Sequence, residues 1–586
     1  MKKFVALSAV AAMAIMANAA TEAEEIAKLK EELSTLKETV KEIKIHDAAD
    51  NVKFSIDFRA GLDNINYETA EGKSFGNGNL MTNRLQLGMA AQPAENLTFN
   101  GLLSYNKAYG AAPSNNNTGM PQRGYGYDTF DWVINENLTD NTLKVKEASF
   151  FYYGDMGVPY TVSVGRRPST DGMLANHREG ASRGKSPLGH SINVEYDGAS
   201  FLLKDLTDFG TSFKICAGRG LTNARSRFNM DGGLSSYGDY SEDASTIDSV
   251  DMYGIIFVPY DDGQYKVSFM GYQATNLPGF LMTDVDNFYG ADNEANTGMV
   301  AIDWYGANGV ADGSSTTAQM GYQFNSAGTL QMRSLGEFAG QVLSFEANGI
   351  GDGWSDFLDN TTFFASYARS TTTPNKDYSV VNMDQFMGFM GSTPFEAAVG
   401  MYMQGGMTQA AAATQVIADL DGVDGSTPDG AISVDEFEAG LGSSLQSSAQ
   451  SSAVDSGMLG SSDNETGSSI WVGLTIPAMF TEDGRIGLEY NKGDKYWRSF
   501  TYGEDTMIGS KLAARGSAFE AYYNQPLVDQ YLTMQLRYTA ITYEYTGSQG
   551  FFGDEGTPMS MDDAKDMNMD PIEKATDIRF SITYNY

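Results

Sequence analysis

Most of this chain consists of short segments in which apolar and polar residues alternate. The last ten residues, DIRFSITYNY, place large apolar side chains at every second position: Ile578, Phe580, Ile582, Tyr584 and Tyr586. Successive side chains of a β-strand point to opposite faces, so this spacing gives one apolar and one polar face. The same alternation begins at 52–63, in VKFSIDFRAGLD. The sequence therefore predicts a chain built almost entirely of antiparallel strands.

Two kinds of connection separate the alternating segments. Short turns such as 261–263 and 482–484 join two strands into a hairpin. Long polar stretches then separate the hairpins, at roughly 108–142, 166–190, 220–250, 274–318, 375–468, 494–512 and 546–575. Short turns at one end and long loops at the other are typical of a barrel that spans an outer membrane. A soluble sandwich or solenoid is the alternative, and more regular loops would be expected of it.

The predicted fold is all-β, a transmembrane antiparallel β-barrel over 52–586 with long extracellular loops. Backbone groups inside hydrocarbon must all be paired, so the strands have to close into a ring in which the last pairs with the first. The patterned segments indicate about 14 to 18 strands, and about 16 is expected because even numbers are the rule. Barrels of this class commonly end on an aromatic strand that the insertion machinery reads. That resemblance implies a barrel-closing signal at Phe580, Tyr584 and Tyr586.

The N-terminus has the three-part pattern of a secretory signal at 1–19. Two lysines precede an apolar run, and Ala17-Asn18-Ala19 forms a small-residue cleavage site. A retained membrane anchor is the alternative, but the apolar run is short for a span and no later run reaches ~20 apolar residues. Together with the barrel, the signal predicts a location in the bacterial outer membrane.

A second helical segment follows at 21–46. Its apolar residues have the three-four spacing of a coiled coil, at Ile26, Leu29, Leu33, Leu36, Val40 and Ile43. So short a coil is marginal alone and needs an oligomer assembled by something larger. We therefore expect a periplasmic coiled coil in an oligomer, whereas a lone amphipathic helix lying on the barrel is the alternative. The a and d residues do not fix the number of helices, and a homotrimer is the expected assembly.

Composition narrows the possible functions. There are 39 basic and 75 acidic residues, a formal net charge of −36, which speaks against nucleic acid as a partner. The charge also argues against docking on anionic lipid without a bridging cation. The sequence contains one cysteine and three histidines, no c-type haem attachment motif and none of the common catalytic motifs. We therefore predict that the protein is not an enzyme, although His177 and His190 have serines nearby in sequence.

One stretch reverses the overall charge. Residues 161–228 hold ten basic and six acidic side chains. The part joining two predicted strands is expected to fold into the lumen as a constriction loop that binds anions. The candidate residues are Arg166, Arg167, Arg178, Arg183 and Lys185. Alternatively, these residues pair with the acidic loops or bind lipopolysaccharide phosphates outside the pore.

A second motif, DLDGVDGSTPDGAISVDEF at 419–437, resembles the back half of a calcium-binding EF-hand loop. Asp429, Gly430, Ile432 and Glu436 match that loop, but its first half departs from the pattern. The predicted calcium ligands are Asp419, Asp421, Asp424, Asp429 and Glu436. Three of them require an insertion of about four residues relative to the standard loop. A calcium site in a helical loop insertion at 375–468 is thus predicted, with a solvated acidic turn as the alternative.

The signal, the coiled coil, the barrel and GRRPSTDG at 165–172 together resemble an uncharacterised family of porin-like outer-membrane proteins of Gram-negative bacteria. The resemblance covers the whole chain and implies contact with outer-membrane lipid and lipopolysaccharide, but it supplies no substrate. The predicted function is a passive porin for small hydrophilic solutes or ions. The alternative is a structural or adhesive surface protein that uses the barrel as an anchor for its acidic loops.

Overall fold

The structure is a computed structural model that carries side chains. It describes residues 52–110, 143–167, 172–181, 186–222, 227–231, 235–239, 249–280, 333–375, 407–421, 463–501, 504–548, 557–566 and 569–586, with short pieces at 138, 399, 428, 458–461 and 552–553. The predicted signal at 1–19 and coiled coil at 21–46 lie outside these residues and stay predictions. Most of the predicted insertion at 375–468 also lies outside the described residues.

Sixteen antiparallel strands close into one barrel. Strands β1 to β8 are Lys53–Thr69, Ser74–Ala94, Leu97–Ala108, Lys144–Asp155, Pro159–Arg167, Tyr196–Leu203, Ser212–Leu221 and Val250–Asp261. Strands β9 to β16 are Tyr265–Phe280, Arg333–Asn348, Thr362–Pro374, Glu465–Pro477, Arg485–Gly493, Gly516–Val528, Leu532–Tyr543 and Ile572–Asn585. Each pairs with its neighbours in chain order, so the predicted all-β barrel of 16 strands is confirmed.

Strand β16 closes the ring by pairing with β1. Phe580 lies opposite Leu62, and Tyr584 lies opposite Phe58. The pairing continues past the strand end, since the Tyr586 amide donates to the Ile56 carbonyl at 2.8 Å and the Ile56 amide donates back at 2.8 Å. All backbone groups of a strand in lipid need such partners, which is why the terminal strand does not fray.

The two faces of the barrel follow the alternation of the sequence. Phe58, Leu62 and Phe580 are exposed on the outside, whereas Arg59 and Asp63 are buried on the inside. The same division runs along the other strands, because the period of two keeps one face toward lipid. The large apolar side chains of the C-terminal strand therefore lie on the outer surface of the barrel and not in a protein core.

The two ends of the barrel differ in their connections. At one end the strands are joined by 95–96, 156–158, 204–211, 262–264, 349–361, 478–484 and 529–531. At the other end, 70–73 is short, and the remaining connections are 109–143, 168–195, 222–249, 281–332, 375–464, 494–515 and 544–571. We call these the short-turn end and the long-loop end. The long-loop end supplies the chain that enters the lumen.

Helices and short strands are confined to the connections. Three α-helices are described: α1 at Asp356–Asp359, α2 at Gln409–Leu420 and α3 at Met561–Asp566. Two 3₁₀ turns lie at Ala175–His177 and Lys511–Ala513. Short strands pair Gly172–Met173 with Ser186–Leu188, Arg227–Asp231 with Ser235–Asp239, and Phe552–Gly553 with the end of β9. Among the described residues, no helix is long and apolar enough to cross a bilayer.

Candidate pore constriction

Loop 168–195, between β5 and β6, folds into the lumen and is fastened to the wall by His190. One ring nitrogen of His190 lies 2.8 Å from the Ser366 hydroxyl, and the other lies 3.0 Å from the Ser469 hydroxyl. The Tyr272 hydroxyl also donates to the Ser191 carbonyl at 2.9 Å. Burial lowers the pKa of His190 to about 3, so the imidazole is neutral and can both donate and accept.

Loop 494–515, between β13 and β14, also folds inward and meets the first loop. The Arg498 amide donates to the Ser370 hydroxyl at 3.1 Å, which holds the loop against the wall. The Phe500 amide donates to the Ser191 carbonyl at 2.9 Å, which joins the two loops. Gly467 of β12 makes this close packing possible, since a Cβ there would lie 2.1 Å from the Trp497 amide nitrogen.

Four buried arginines of the wall surround the tip of loop 494–515. They come from β1, β2, β15 and β16, and we call them the arginine set: Arg59, Arg84, Arg537 and Arg579. Arg59 lies opposite Arg84 in the ladder of β1 with β2, and Arg537 lies opposite Arg579 in the ladder of β15 with β16. Because β16 pairs with β1, these two ladders are neighbours. Barrel closure thus brings together arginines from the two ends of the chain.

The arginine set converges on one carboxylate, Asp505. Arg59 donates from both terminal nitrogens, and Nη2 reaches Oδ1 at 2.9 Å. Arg579 Nη1 donates to Oδ1 at 3.0 Å, and Arg84 Nη1 lies 3.5 Å from Oδ2. Arg537 instead donates to the Asp505 backbone carbonyl at 2.7 Å. Burial acts to raise the pKa of Asp505, but the charges of Arg59 and Arg579 outweigh it and hold the pKa well below its usual range.

Two wall aspartates neutralise part of the same set. Asp63 accepts from Arg579 Nε at 2.5 Å, and Asp57 accepts from Arg84 Nη2 at 3.0 Å. Arg59, in contrast, forms an ion pair with Asp505 alone within the described part of the chain. Glu179 of loop 168–195 also acts on the charge of Arg59 without forming an ion pair, so the charge balance around Arg59 depends on both inward loops.

A second charged cluster joins both loops to β13 and β14. Arg178 of loop 168–195 donates to Glu504 of loop 494–515 at 3.0 Å. Lys511 donates to Glu489 of β13 at 2.7 Å and also donates to Glu520 of β14. Burial would lower the pKa values of Arg178 and Lys511, but the surrounding carboxylates raise both. Both cations therefore stay charged at neutral pH.

Little space remains between the two loops. The cavity there has a volume of about 30 Å³ and is lined by groups that include Arg84, Arg178, Glu179, Glu504 and Asp505. A water molecule needs roughly 10–15 Å³ of such volume, so the cavity accepts one or two waters. The cavity between the two loops is consequently narrow and lined by charged groups.

The five basic residues predicted for the constriction occupy different places. Arg178 lies in the lumen as described above. Arg167 faces the lumen from β5 and donates to the Ser163 hydroxyl at 2.6 Å. Arg166 lies on the outer face, opposite Asp197 in the ladder, with 3.6 Å between the charged groups. Arg183 and Lys185 lie outside the described residues, so their role stays a prediction.

The sequence did not single out the arginine set or Asp505. A signal was available, because Arg59, Arg84, Arg537 and Arg579 each lie among the polar positions of an alternating strand. No local pattern, however, shows that the four strands are neighbours or that a loop 494–515 carboxylate reaches them. The charge excess at 161–228 identified one of the two inward loops, but not the other.

The predicted calcium ligands lie mostly outside the described residues. Asp419 is in the last turn of α2, where its carboxylate accepts from the Gln415 amide at 2.8 Å, and Asp421 directly follows the helix. Asp424, Asp429 and Glu436 belong to the part that is not described. Across the part of the chain that is described, no group of three acidic, histidine or cysteine side chains could hold a metal ion. The calcium site stays a prediction.

The closed 16-strand ring, its apolar outer face and its charged, loop-narrowed lumen define a transmembrane β-barrel of the outer-membrane class. The chain belongs to the family described as "Protein of unknown function (DUF3373)", whose model matches residues 74–586. No curated protein sequence matches this chain.

Solved structures with a similar fold are outer-membrane barrels. The chain aligns with an anion-selective porin from Comamonas acidovorans at TM-score 0.40 and 9% identity, over 92% of this chain and 99% of the porin. It aligns with Pseudomonas putida OprB at TM-score 0.39 and 11% identity, over 93% of this chain and 96% of OprB. It aligns with Salmonella typhi OmpF in complex with daunomycin at TM-score 0.37 and 10% identity, over 92% of this chain and 99% of OmpF. Likenesses this distant carry no argument about solute or mechanism.

Proposed function

We propose that this protein is an outer-membrane porin through which small hydrophilic solutes and ions diffuse passively. The observation that carries the proposal is the charged constriction inside the barrel, where the arginine set and Arg178 face Glu504 and Asp505 between two inward loops. Charged groups in a narrow lumen act on passing ions far more strongly than charges in bulk water.

A barrel that served only as an anchor for its loops would have no use for this arrangement. Burying charges costs several kcal/mol per ion unless partners compensate, and an apolar or small-residue filling would be at least as stable. The charged lumen is therefore better explained by contact with water and ions. The anchor function remains the alternative if the barrel does not conduct.

Catalysis at the one His–Ser arrangement described in the lumen is disfavoured by burial. His190 lies between the Ser366 and Ser469 hydroxyls, but it has no solvent-exposed surface. A substrate could not reach either hydroxyl without removal of loop 168–195 from the wall. The arrangement is explained as a structural anchor of that loop.

Conductance in planar lipid bilayers tests the porin proposal. Purified protein should insert and produce discrete current steps in potassium chloride. A correctly folded barrel that inserts without any current would contradict the porin and favour the anchor.

Two neighbouring substitutions test whether the constriction sets ion selectivity. Arg167→Glu reverses a charge on the lumen face, whereas Arg166→Glu reverses a charge on the outer face. We expect Arg167→Glu to shift the reversal potential in a salt gradient toward cation preference, because a charge in the pore is poorly screened. Arg166→Glu is the matched control and should leave it close to wild type. Equal shifts in the two variants would contradict the assignment.

Two further features belong to the proposal on sequence grounds. The 21–46 coiled coil would align the subunits of a homotrimer on the periplasmic side, and its deletion should weaken the oligomer on native gels without loss of the barrel.

Calcium would bind the 419–436 segment through Glu436 and Asp429, and calorimetry on wild type and Glu436→Gln measures this binding. Calcium uptake that Glu436→Gln does not reduce would leave the segment an ordinary acidic loop.

A further inference from the structure

Asp505 is held in the way that a protein holds a bound carboxylate ligand. Arg59 grips it with two terminal nitrogens, and Arg579 and Arg84 approach the same two oxygens. Arginine forms such paired hydrogen bonds with planar carboxylates better than lysine can, and they are stronger than bonds between neutral groups. The wall thus presents a carboxylate-binding site whose occupant is attached to loop 494–515.

The charge balance shows what would follow if Asp505 left. Asp57 and Asp63 would still neutralise Arg84 and Arg579. Arg59 would lose the one ion pair that the described residues give it, although its side chain is only 6% exposed. Glu179 of loop 168–195 would then be the remaining carboxylate that acts on Arg59, but it forms no ion pair with it. A buried guanidinium without a paired counter-charge is costly, so the vacated site would attract another anion.

The arginine set also has hydrogen-bonding capacity beyond Asp505. Nη2 of Arg579 is buried and has no hydrogen-bond acceptor among the described residues. Nε and Nη1 of Arg537 also lack a hydrogen bond there, although they lie 3.9 Å from carboxylate oxygens of Glu520 and Glu179. Buried N–H groups are normally satisfied, so Nη2 of Arg579 in particular marks a place where water or a ligand oxygen would sit. Both arginines lie beside Asp505, since Arg579 donates to the Asp505 carboxylate and Arg537 donates to the Asp505 backbone carbonyl.

We propose that the arginine set is a binding site for small carboxylates on their way through the pore, and that Asp505 is a tethered competitor for that site. The inference rests on the proposed porin function and names its solute class. The neighbouring cavity of about 30 Å³ holds little more than water. A solute carboxylate therefore binds by displacing the Asp505 side chain, and Asp505 returns when the solute leaves. Such exchange keeps affinity low, which a channel needs for rapid release.

Calorimetry on the full-length protein in detergent tests binding independently of conduction. Succinate is titrated into wild type, Asp505→Asn, and Asp505→Asn combined with Arg59→Gln. Asp505→Asn removes the competing charge with little change in shape, so succinate should bind at least about tenfold more tightly than to wild type. The added Arg59→Gln should abolish that gain.

The control variant removes a carboxylate elsewhere. Asp570→Asn changes the net charge by the same amount, but Asp570 pairs with Lys73 at the long-loop end, away from the arginine set. Its succinate affinity should equal that of wild type. Arg59→Gln in the native loop background is a second test, and it should weaken succinate binding. Each variant is first shown to form a heat-modifiable barrel on gels.

Three results would overturn the inference. They are Asp505→Asn binding succinate no more tightly than wild type, a gain in affinity that survives Arg59→Gln, and tighter binding of inorganic phosphate than of succinate by Asp505→Asn. Bilayer currents separate this inference from the porin proposal. Arg59-dependent succinate binding without conductance would support the site and contradict the porin, whereas conductance without such binding would do the reverse.

Discussion

At the scale of single residues, the lumen depends on arginines that are buried with their partners. Arg579 is 1% exposed and donates to both Asp63 and Asp505. Neither burial nor charge alone explains such a residue, because an isolated guanidinium would be expelled from this place. What holds it is a pair of carboxylates, Asp63 from the wall and Asp505 from loop 494–515. Each of these residues is therefore fixed by contacts far away in sequence.

Replacing Arg579 with methionine should destabilise the barrel strongly. The substitution keeps much of the volume but leaves Asp63, which is fully buried, without its charged partner. Breaking a buried ion pair on one side costs about 3–5 kcal/mol. Urea unfolding of the barrel in lipid vesicles measures the loss in free energy of unfolding.

The matched control for this prediction is Lys574→Met on the same strand. Lys574 pairs with Glu68 at 2.9 Å, but both side chains are exposed to more than a third of their surface. Exposed pairs contribute little, so stability should hardly change. A loss in Lys574→Met equal to that in Arg579→Met would show that strand β16 tolerates no substitution and that burial is not the reason.

At the scale of elements, the attachment of loop 168–195 to the wall depends on a residue that titrates, His190. His190 fastens loop 168–195 to β11 and β12 through the Ser366 and Ser469 hydroxyl groups, and the Asn491 side chain of β13 is a further polar partner. The rings of Trp471 and Trp497 lie against it, with centroids 5.6 Å from its own. The described hydrogen-bond partners of the ring are hydroxyl and amide groups, so this pocket favours a neutral imidazole over a protonated one.

Stability should fall on acidification through His190. Its pKa is about 3 in the folded protein and near its usual 6.5 when unfolded, so between these values the unfolded state binds more protons. The contribution is fully present above pH 6.5 and declines as the pH falls toward 3. Between pH 7.5 and pH 5 the loss from this group is about 2 kcal/mol.

His190→Gln isolates the effect, because glutamine keeps an amide donor and acceptor but does not titrate in this range. The measurement is the free energy of unfolding of both proteins at several pH values. The difference in free energy of unfolding between wild type and His190→Gln should narrow by about 2 kcal/mol as the pH drops from 7.5 to 5. Parallel pH profiles would show that His190 does not carry the dependence.

At the scale of the whole molecule, closure of the ring by β16 determines both the membrane wall and the charged site in the lumen. Strand β16 contributes one edge to β15 and the other to β1, and it places Phe580, Tyr584 and Tyr586 on the outer surface. It also places Arg579 in the lumen between the two ladders of the arginine set. The same strand thus completes the membrane wall and the charged site.

Deletion of residues 572–586 should abolish the barrel. Without β16, β1 and β15 would each expose a row of unpaired backbone groups, which hydrocarbon does not tolerate. The heat-modifiable band on gels should disappear and the protein should fail to reach the membrane. Removal of an equally long piece from the 281–332 connection is the control, because long loops tolerate deletion better than strands. A truncated protein that still forms a heat-modifiable barrel would contradict the role of β16.

The sequence by itself determined the fold, because the alternation of apolar and polar residues is a local property. Strands such as 52–63 and 577–586 could be read as two-faced segments without knowledge of their neighbours. The requirement that backbone groups pair in lipid then implied a closed ring of about 16 strands. The excess of basic residues at 161–228 also pointed to an inward loop, and Arg178 does lie in the lumen.

Only the tertiary structure decided where the charges meet. Arg59 and Arg579 are separated by almost the whole chain, and ring closure places them on adjacent strands, where both reach Asp505. Asp505 reaches them because loop 494–515 turns inward. That conformation depends on wall glycines such as Gly467 and on contacts with loop 168–195. Arg166 and Arg167, adjacent in sequence, lie on opposite sides of the wall. Long-range pairing and loop placement arise from the sum of many weak contacts, and no local pattern of residues encodes that sum.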